Sequence, residues 1–138
     1  VLDVIKNIKD KIIIMERSIY TDKFVFAKML YDCGFIKEIE WKTYNYWFDT
    51  FKDSTKLDGI IYVNTEPEIC FERIKKRNRD GESNIELEYL KECHKNHVDW
   101  IDNETINVLR INGNQEFENN NDIEMGIVSD INQKFFYN

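Results

Sequence analysis

The segment "DGIIYVNTEPEICFERIKKR" (residues 58–77) switches from one apolar period to another at its midpoint. Ile60, Ile61, Tyr62 and Val63 make a continuous apolar run, the pattern of a strand covered on both faces. "TEPE" then reads as a helix start. Thr65 is the expected N-cap, Glu68 its capping-box partner, and Pro67 falls in the first turn, where a missing N–H costs little.

The strand form recurs on either side, in "KIIIMERS" (11–18), behind a lysine- and aspartate-rich helix, and in "INVLRING" (106–113). Between the strands the period is helical. Phe24, Ala27 and Leu30 lead to a stop at Gly34, and Ile36, Ile39, Trp47 and Phe51 mark an aromatic-rich helix. A helix over about 85–102 carries Leu87, Leu90, His94 and Ile101 on one face. Behind the loop "NGNQEFENNND", with its solvated polar turn at 118–122, a weaker helix runs from Asp122 through Ile123, Ile127, Val128, Ile131 and Phe135. Alternating strands and helices predict a three-layer parallel α/β architecture, whose ligand sites lie at the carboxyl ends of the strands. Residues 16–22, 64–66 and 112–117 occupy those ends.

A chain of 138 residues is about one domain long, and folding at that size buries roughly 68–70% of the unfolded chain's surface. Hydrophobic residues at 42%, charged residues at 33% and a single proline are a globular composition, so residues 1–138 are expected to form one soluble domain. A net charge of -7 argues against a general binder of nucleic acid or membrane surface, which needs a basic face. No apolar run approaches the roughly 20 residues of a membrane span, and "VLDVIKNIKDK" carries charge where a signal peptide is apolar. The expected location is cytoplasmic. Cys33, Cys70 and Cys93 are too few and too scattered for a disulfide framework. "CHKNH" (93–97) has no second cluster to complete a tetrahedral zinc site, so helix packing is the better reading of Cys93, His94 and His97.

In this acidic chain the helix of the opening segment ends in a concentration of cations, Arg73, Arg77 and Arg79. Arg73 and Arg77 stack on one helical face, and Arg79 lies beyond, where Asn78, Asp80 and Gly81 loosen the chain. Guanidinium forks of this kind grip phosphate oxygens, and a mobile lid of them both neutralises charge and excludes water. A solvated helix end, stabilised by the C-terminal dipole, is the competing reading. "MERSIYTDKFVFAK" (15–28) puts Glu16 and Arg17 directly at a strand end, where desolvating them is costly unless they bind a ligand or each other. They pair structurally, or else Glu16 works beside a hydrated magnesium ion, Arg17 beside a reacting hydroxyl, and Asp22 with Phe26 on a flat, hydrogen-bonding ligand.

These residues carry a family resemblance. "ERSIYTDKFVFAKMLYDCG", "IEWKTYNYWFDTF", "GIIYVNTEPEICFERIKKRNRDGESNIELEYLKECHKNHVDWI" and "VLRINGNQEF" together resemble the deoxynucleoside kinases of the deoxycytidine, deoxyguanosine and mitochondrial thymidine kinase type. The likeness spans roughly residues 4 to 117. It implies the P-loop kinase fold, a homodimer, and phosphorylation of a deoxynucleoside 5′-hydroxyl with ATP and Mg2+. Glu16 would then act at the magnesium site and Arg17 near the 5′-hydroxyl. Asp22 would read the base edge while Phe26 stacks on the base. The lid, about 73–84, would bring Arg73, Arg77 and Arg79 to the ATP phosphates and Glu82 to the sugar 3′-hydroxyl, and Glu116 with Phe117 would meet the adenine. A thymidylate-type kinase shares the lid but lacks the pairing of Glu-Arg-Ser with His-x-x-His-x-x-Trp.

One family motif does not occur. The glycines stand at 34, 59, 81, 113 and 126, and none belongs to a Gly-x-x-x-x-Gly-Lys-Ser/Thr phosphate loop. The family's catalytic-base glutamate and further base-contacting residues are expected upstream of Val1. So is the first strand of the sheet, which would lie between the strands ending at Met15 and Val63. Without it both would bare unpaired backbone groups, at about 1–3 kcal/mol for each one buried unsatisfied. The favoured reading is the C-terminal part of a kinase, truncated before its first two strands and P-loop, completed by more polypeptide or by a second chain and inactive alone. The alternatives are a catalytically dead interaction or regulatory subunit, for which "EWKTYNYWF" offers aromatic surface, and the product of a disrupted gene.

Overall fold

The computed structural model describes residues 12–117 and 120–137. The helix expected before residue 11 lies outside them, as do residues 118 and 119 of the polar turn. The chain forms two compact units, Val1–Lys56 and Leu57–Asn138.

In the first unit α1 (Ile19–Thr21) runs directly into a π-helical stretch, Asp22–Ala27, and then α2 (Lys28–Asp32). Ser18 starts this run, its Oγ accepting the Tyr20 N–H at 3.2 Å. Gly34 ends it at φ +77°, a left-handed conformation that a side chain would strain. α3 (Glu38–Phe51) follows and closes in a 3-10 turn, Lys52–Thr55. Val25, Ala27, Met29 and Phe48 are buried, and the Phe48 ring stands edge-on to Tyr20 at 5.3 Å and to Phe24 at 6.0 Å. The expected inward face of α3 needs correction, because Ile39 is 69% exposed and Trp47 41%. Phe48 points into the core instead. The aromatic spacing marks a neighbouring stripe, in which Tyr31, Trp41, Tyr44, Trp47 and Phe51 contact one another in sequence at centroid separations of 4.9, 5.8, 6.2 and 5.2 Å.

A second correction concerns "KIIIMERS". Residues 12–15 are not a strand, and all four are exposed, Ile14 to 77%. A strand is held by its hydrogen-bonding neighbour, and among the described residues none pairs with this segment.

The second unit is the α/β part: β1 (Gly59–Asn64), α4 (Pro67–Arg77), α5 (Leu87–Asp102), β2 (Asn107–Asn112) and α6 (Asn121–Phe135). β1 and β2 pair in parallel, from Gly59 opposite Asn107 to Asn64 opposite Asn112. In place of the three-layer sheet expected for the whole, the described residues contain this small two-stranded one. α5 buries Ile101 and half-buries Leu87, Leu90 and His94, the face its period predicts. The His97 ring lies parallel to Tyr62 of β1 at 6.0 Å. α6 closes on the start of β1, where a Cβ on Gly59 would stand 2.3 Å from the Phe135 ring. Among the described residues no helix is long and apolar enough to cross a membrane.

The start of α4 differs from the capping box read in "TEPE". Glu66 is the N-cap and no side chain of the segment caps the helix. The Glu66 N–H instead donates to Asn114 Oδ1, 2.8 Å away in the loop after β2. The replacement is tertiary: once the two parallel strands align their ends, Asn114 reaches the orphan N–H of the N-cap residue Glu66, which no local side chain serves.

Candidate active site

Two groups of the expected site residues are built, one in each unit. In the first, the chain turns sharply at Arg17, a non-glycine residue at φ +64°. Such a backbone is strained and persists only where surrounding contacts hold it. Here Ser18 caps the following helix, and the Arg17 guanidinium lies 4.8 Å over the Phe26 ring, a cation–π contact within reach of the ring's negative face. Glu16 is exposed beside it. Asp22 opens the π-helical stretch and Phe26 lies within it, so the widened turn sets where both side chains emerge.

Asp22 has a partner that its sequence neighbours do not suggest. The Tyr44 hydroxyl donates to Asp22 Oδ2 at 2.6 Å, across 22 positions. Burial pushes the Tyr44 phenol well above the ordinary tyrosine range, and the hydrogen bond and negative charge of Asp22 push it the same way. Tyr44 is therefore a protonated donor at neutral pH. Its ring is fixed in the aromatic stripe, near-parallel to Trp41 at 10°.

The second group lies in the α/β unit. Arg73 is half-buried and spends its fork on backbone: Nη1 donates to the Gly113 carbonyl at 2.7 Å, and Nη2 to Gln115 at 2.8 Å and Asn114 at 3.4 Å. It straps the loop after β2 to α4, immediately before the exposed Glu116 and the half-buried Phe117. Gly113 makes this closure possible: its N–H donates to the Asn64 carbonyl at 2.7 Å, and a Cβ there would meet Thr65 Oγ1 at 2.0 Å. Beneath the strap the Cys70 thiol is pushed up by burial, with Arg73 opposing the shift.

Beyond Arg73 the helix ends at Asn78, left-handed at φ +46°, and Gly81 follows at φ +88°. These two turns fold 78–82 back on the helix. Arg77 then meets Glu82, with Nε at 3.1 Å and Nη2 at 2.6 Å from Oε2. Arg79 and Glu82 both line a cavity of about 840 Å³ floored by Phe71, Ile74 and Leu87. Arg79 is exposed, and its guanidinium makes no hydrogen bond or ion pair among the described residues, while its carbonyl accepts the Glu82 N–H at 3.2 Å. So the geometry joins Arg17 to Phe26, Arg77 to Glu82, and Arg79 to the Glu82 cavity, while Arg73 is held on the loop that leads to Glu116. Among the described residues no three His, Cys, Asp or Glu side chains converge as a metal cluster.

Sequence reasoning missed Tyr44 as the partner of Asp22, and Asn114 as the cap of α4. Neither carries a local signal, since both act across long stretches of chain. Asn114 was visible only as a turn residue and Tyr44 only as one aromatic among several.

Comparison with known proteins decides the lineage. The sequence profile described as Deoxynucleoside kinase matches residues 1–136. The chain belongs to the deoxynucleoside kinase family. It is 38% identical over 127 residues to a probable deoxycytidine kinase of fowlpox virus, covering 86% of this chain and 54% of that one. Deoxycytidine kinase 2 of Gallus gallus is 40% identical over 124 residues, with 87% and 44% covered. The mitochondrial deoxyguanosine kinase of Xenopus laevis is 39% identical over 121 residues, with 78% and 46% covered. This deoxynucleoside kinase family chain thus spans about half the length of the curated relatives it matches.

Proposed function

We propose that the chain supplies the nucleoside-facing and lid-bearing part of an ATP-dependent deoxynucleoside 5′-kinase of the P-loop, three-layer type, acting in cytoplasmic nucleotide salvage. The observation that carries the reading is the Arg17–Phe26–Asp22 constellation, gathered by a strained turn and a π-helical stretch in a chain of this family. In the reaction the nucleoside 5′-oxygen bonds to the γ-phosphorus of ATP, the bond from that phosphorus to ADP breaks, and the hydroxyl proton leaves to a base. Arg17 orients the hydroxyl. Phe26 offers a flat apolar face to the base and Asp22 accepts hydrogen bonds from its edge. Arg77 and Arg79 neutralise phosphate charge as the lid closes, Glu82 accepts from the sugar 3′-hydroxyl, and Arg73 holds the loop that brings Glu116 and Phe117 to the adenine.

A magnesium ion fits this donor set. Mg2+ is held by one or two carboxylates with waters and substrate phosphates completing the shell, so Glu16 needs no cluster around it. When bound, the ion neutralises charge on the β- and γ-phosphates. The phosphate loop and catalytic base are not among the 138 residues' motifs, and come from further sequence of the same polypeptide or from a complementing N-terminal chain; the partner is a second copy in a homodimer or that complementing chain. Assayed as the 138-residue chain with ATP, magnesium and each deoxynucleoside, it is expected to give negligible product. Clear turnover would show that a phosphate loop is dispensable and this account of the site wrong.

A second reading, a non-enzymatic interaction subunit, is favoured by exposed large side chains on α3 outside the aromatic stripe, where Ile39 and Tyr46 are 69% and 78% accessible. It predicts that nucleosides do not bind.

A further inference from the structure

We infer that Tyr44 is a positioning residue for base recognition, holding Asp22 so that one carboxylate oxygen faces the ligand. The inference rests on the reading of Asp22 as the residue that meets the base. A carboxylate on an exposed helical turn has free rotation about its side-chain bonds, and a ligand must overcome that freedom to use it. Asp22 lacks that freedom, because Oδ2 receives the Tyr44 hydroxyl at 2.6 Å. Oδ1 has no partner among the described residues.

The donor is itself packed between rings. Tyr44 is sandwiched in the stripe between Trp41, stacked at 5.8 Å, and Trp47 at 6.2 Å, and Trp41 is stacked in turn on Tyr31 of α2. That connection ties the hydroxyl to the same helical run that carries Asp22. The π-helical start at Asp22 offers no local side chain to do this, since its own caps are backbone. Tyr44 also fixes which oxygen is presented. With Oδ2 taken by the phenol, Oδ1 is the acceptor left to face the ligand, and it suits a base with an N–H donor at the matching edge. A 4-amino pyrimidine satisfies that demand, whereas a 4-oxo pyrimidine brings a second acceptor against it.

The test is equilibrium binding of deoxycytidine and thymidine, read by isothermal titration calorimetry, to this chain complemented with a polypeptide bearing a relative's phosphate loop and first strands, for wild type, Tyr44→Phe, Asp22→Asn and the double variant. Far-UV circular dichroism checks that each variant is folded. The expected result is that Tyr44→Phe and Asp22→Asn each cut the preference for deoxycytidine over thymidine about tenfold, the worth of one hydrogen bond, and that the double variant loses no more than either single one. If Asp22→Asn changes the preference and Tyr44→Phe does not, the positioning role is wrong while the reading of Asp22 stands. Tyr44→Phe weakening both nucleosides equally would mark a packing role and overturn the proposal. If neither variant changes the preference, or neither nucleoside binds saturably, the reading of Asp22 itself fails and the proposal with it.

Discussion

Replacing Arg73 by alanine removes three hydrogen bonds to the carbonyls of residues 113–115. The bond to Gly113 is short and partly buried, and a charged donor in that setting is worth about 1.5–3 kcal/mol. The bonds to Asn114 and Gln115 are exposed, so together they add about 0.5–1 kcal/mol after solvent competition. The expected loss is about 2–4 kcal/mol, and with a urea slope of about 2 kcal/mol/M it moves the unfolding midpoint down by about 1–2 M. Arg73→Lys should fall between, since an ammonium keeps the charge but draws its donors from a single nitrogen and cannot reproduce the spacing of the planar fork. Arg79→Ala is the control: an exposed side chain without a partner changes stability by less than about 0.5 kcal/mol. Urea titration followed by circular dichroism reads all three. An Arg73→Ala midpoint equal to that of Arg79→Ala would refute the strap and return Arg73 to the open lid.

Further expectations concern the loop closure, the phenol and the lid. Gly113→Ala forces a Cβ to within 2.0 Å of Thr65 Oγ1, and should cost about 1–3 kcal/mol in the same titration. The Tyr44 phenol is held above its unfolded value of about 10, so its contribution to stability is fully present below pH 10 and is lost as pH rises towards the folded pKa. Wild type should therefore lose stability relative to Tyr44→Phe above pH 10, as read by unfolding at stepped alkaline pH. In an enzyme completed with its phosphate loop, Arg77→Ala should mainly slow turnover, by roughly 10–100-fold, with nucleoside preference kept. Steady-state kinetics with two nucleosides would show a shift in preference if Arg77 served the base instead.

Much of the fold was legible because its signals are local. The continuous runs at 60–63 and 108–109 gave the paired strands, Gly34 the first helix stop, and the helical period of Leu87, Leu90, His94 and Ile101 the packed face of α5. Ile12–Met15 show the limit of that reasoning. Their β-branched run states a preference, but a strand also needs a neighbour, which local sequence does not reveal. Thr65 and Asn114 show the same limit at a helix end, where the local cap lost to one 48 positions away. In the candidate site, residue types that pointed to phosphate and base chemistry were readable one by one. What each touches was not: Arg73 carries no mark that sets it apart from Arg77, yet one holds three carbonyls and the other a carboxylate.

The most direct measurement is transfer of labelled γ-phosphate from ATP to a deoxynucleoside by this chain mixed with a polypeptide bearing a relative's Gly-x-x-x-x-Gly-Lys-Ser loop and first strands. The account predicts labelled 5′-monophosphate from the mixture and from neither component alone, with loss of the product on Arg17→Ala. A folded complex that binds both substrates and transfers nothing, or a product unaffected by Arg17→Ala, would contradict it.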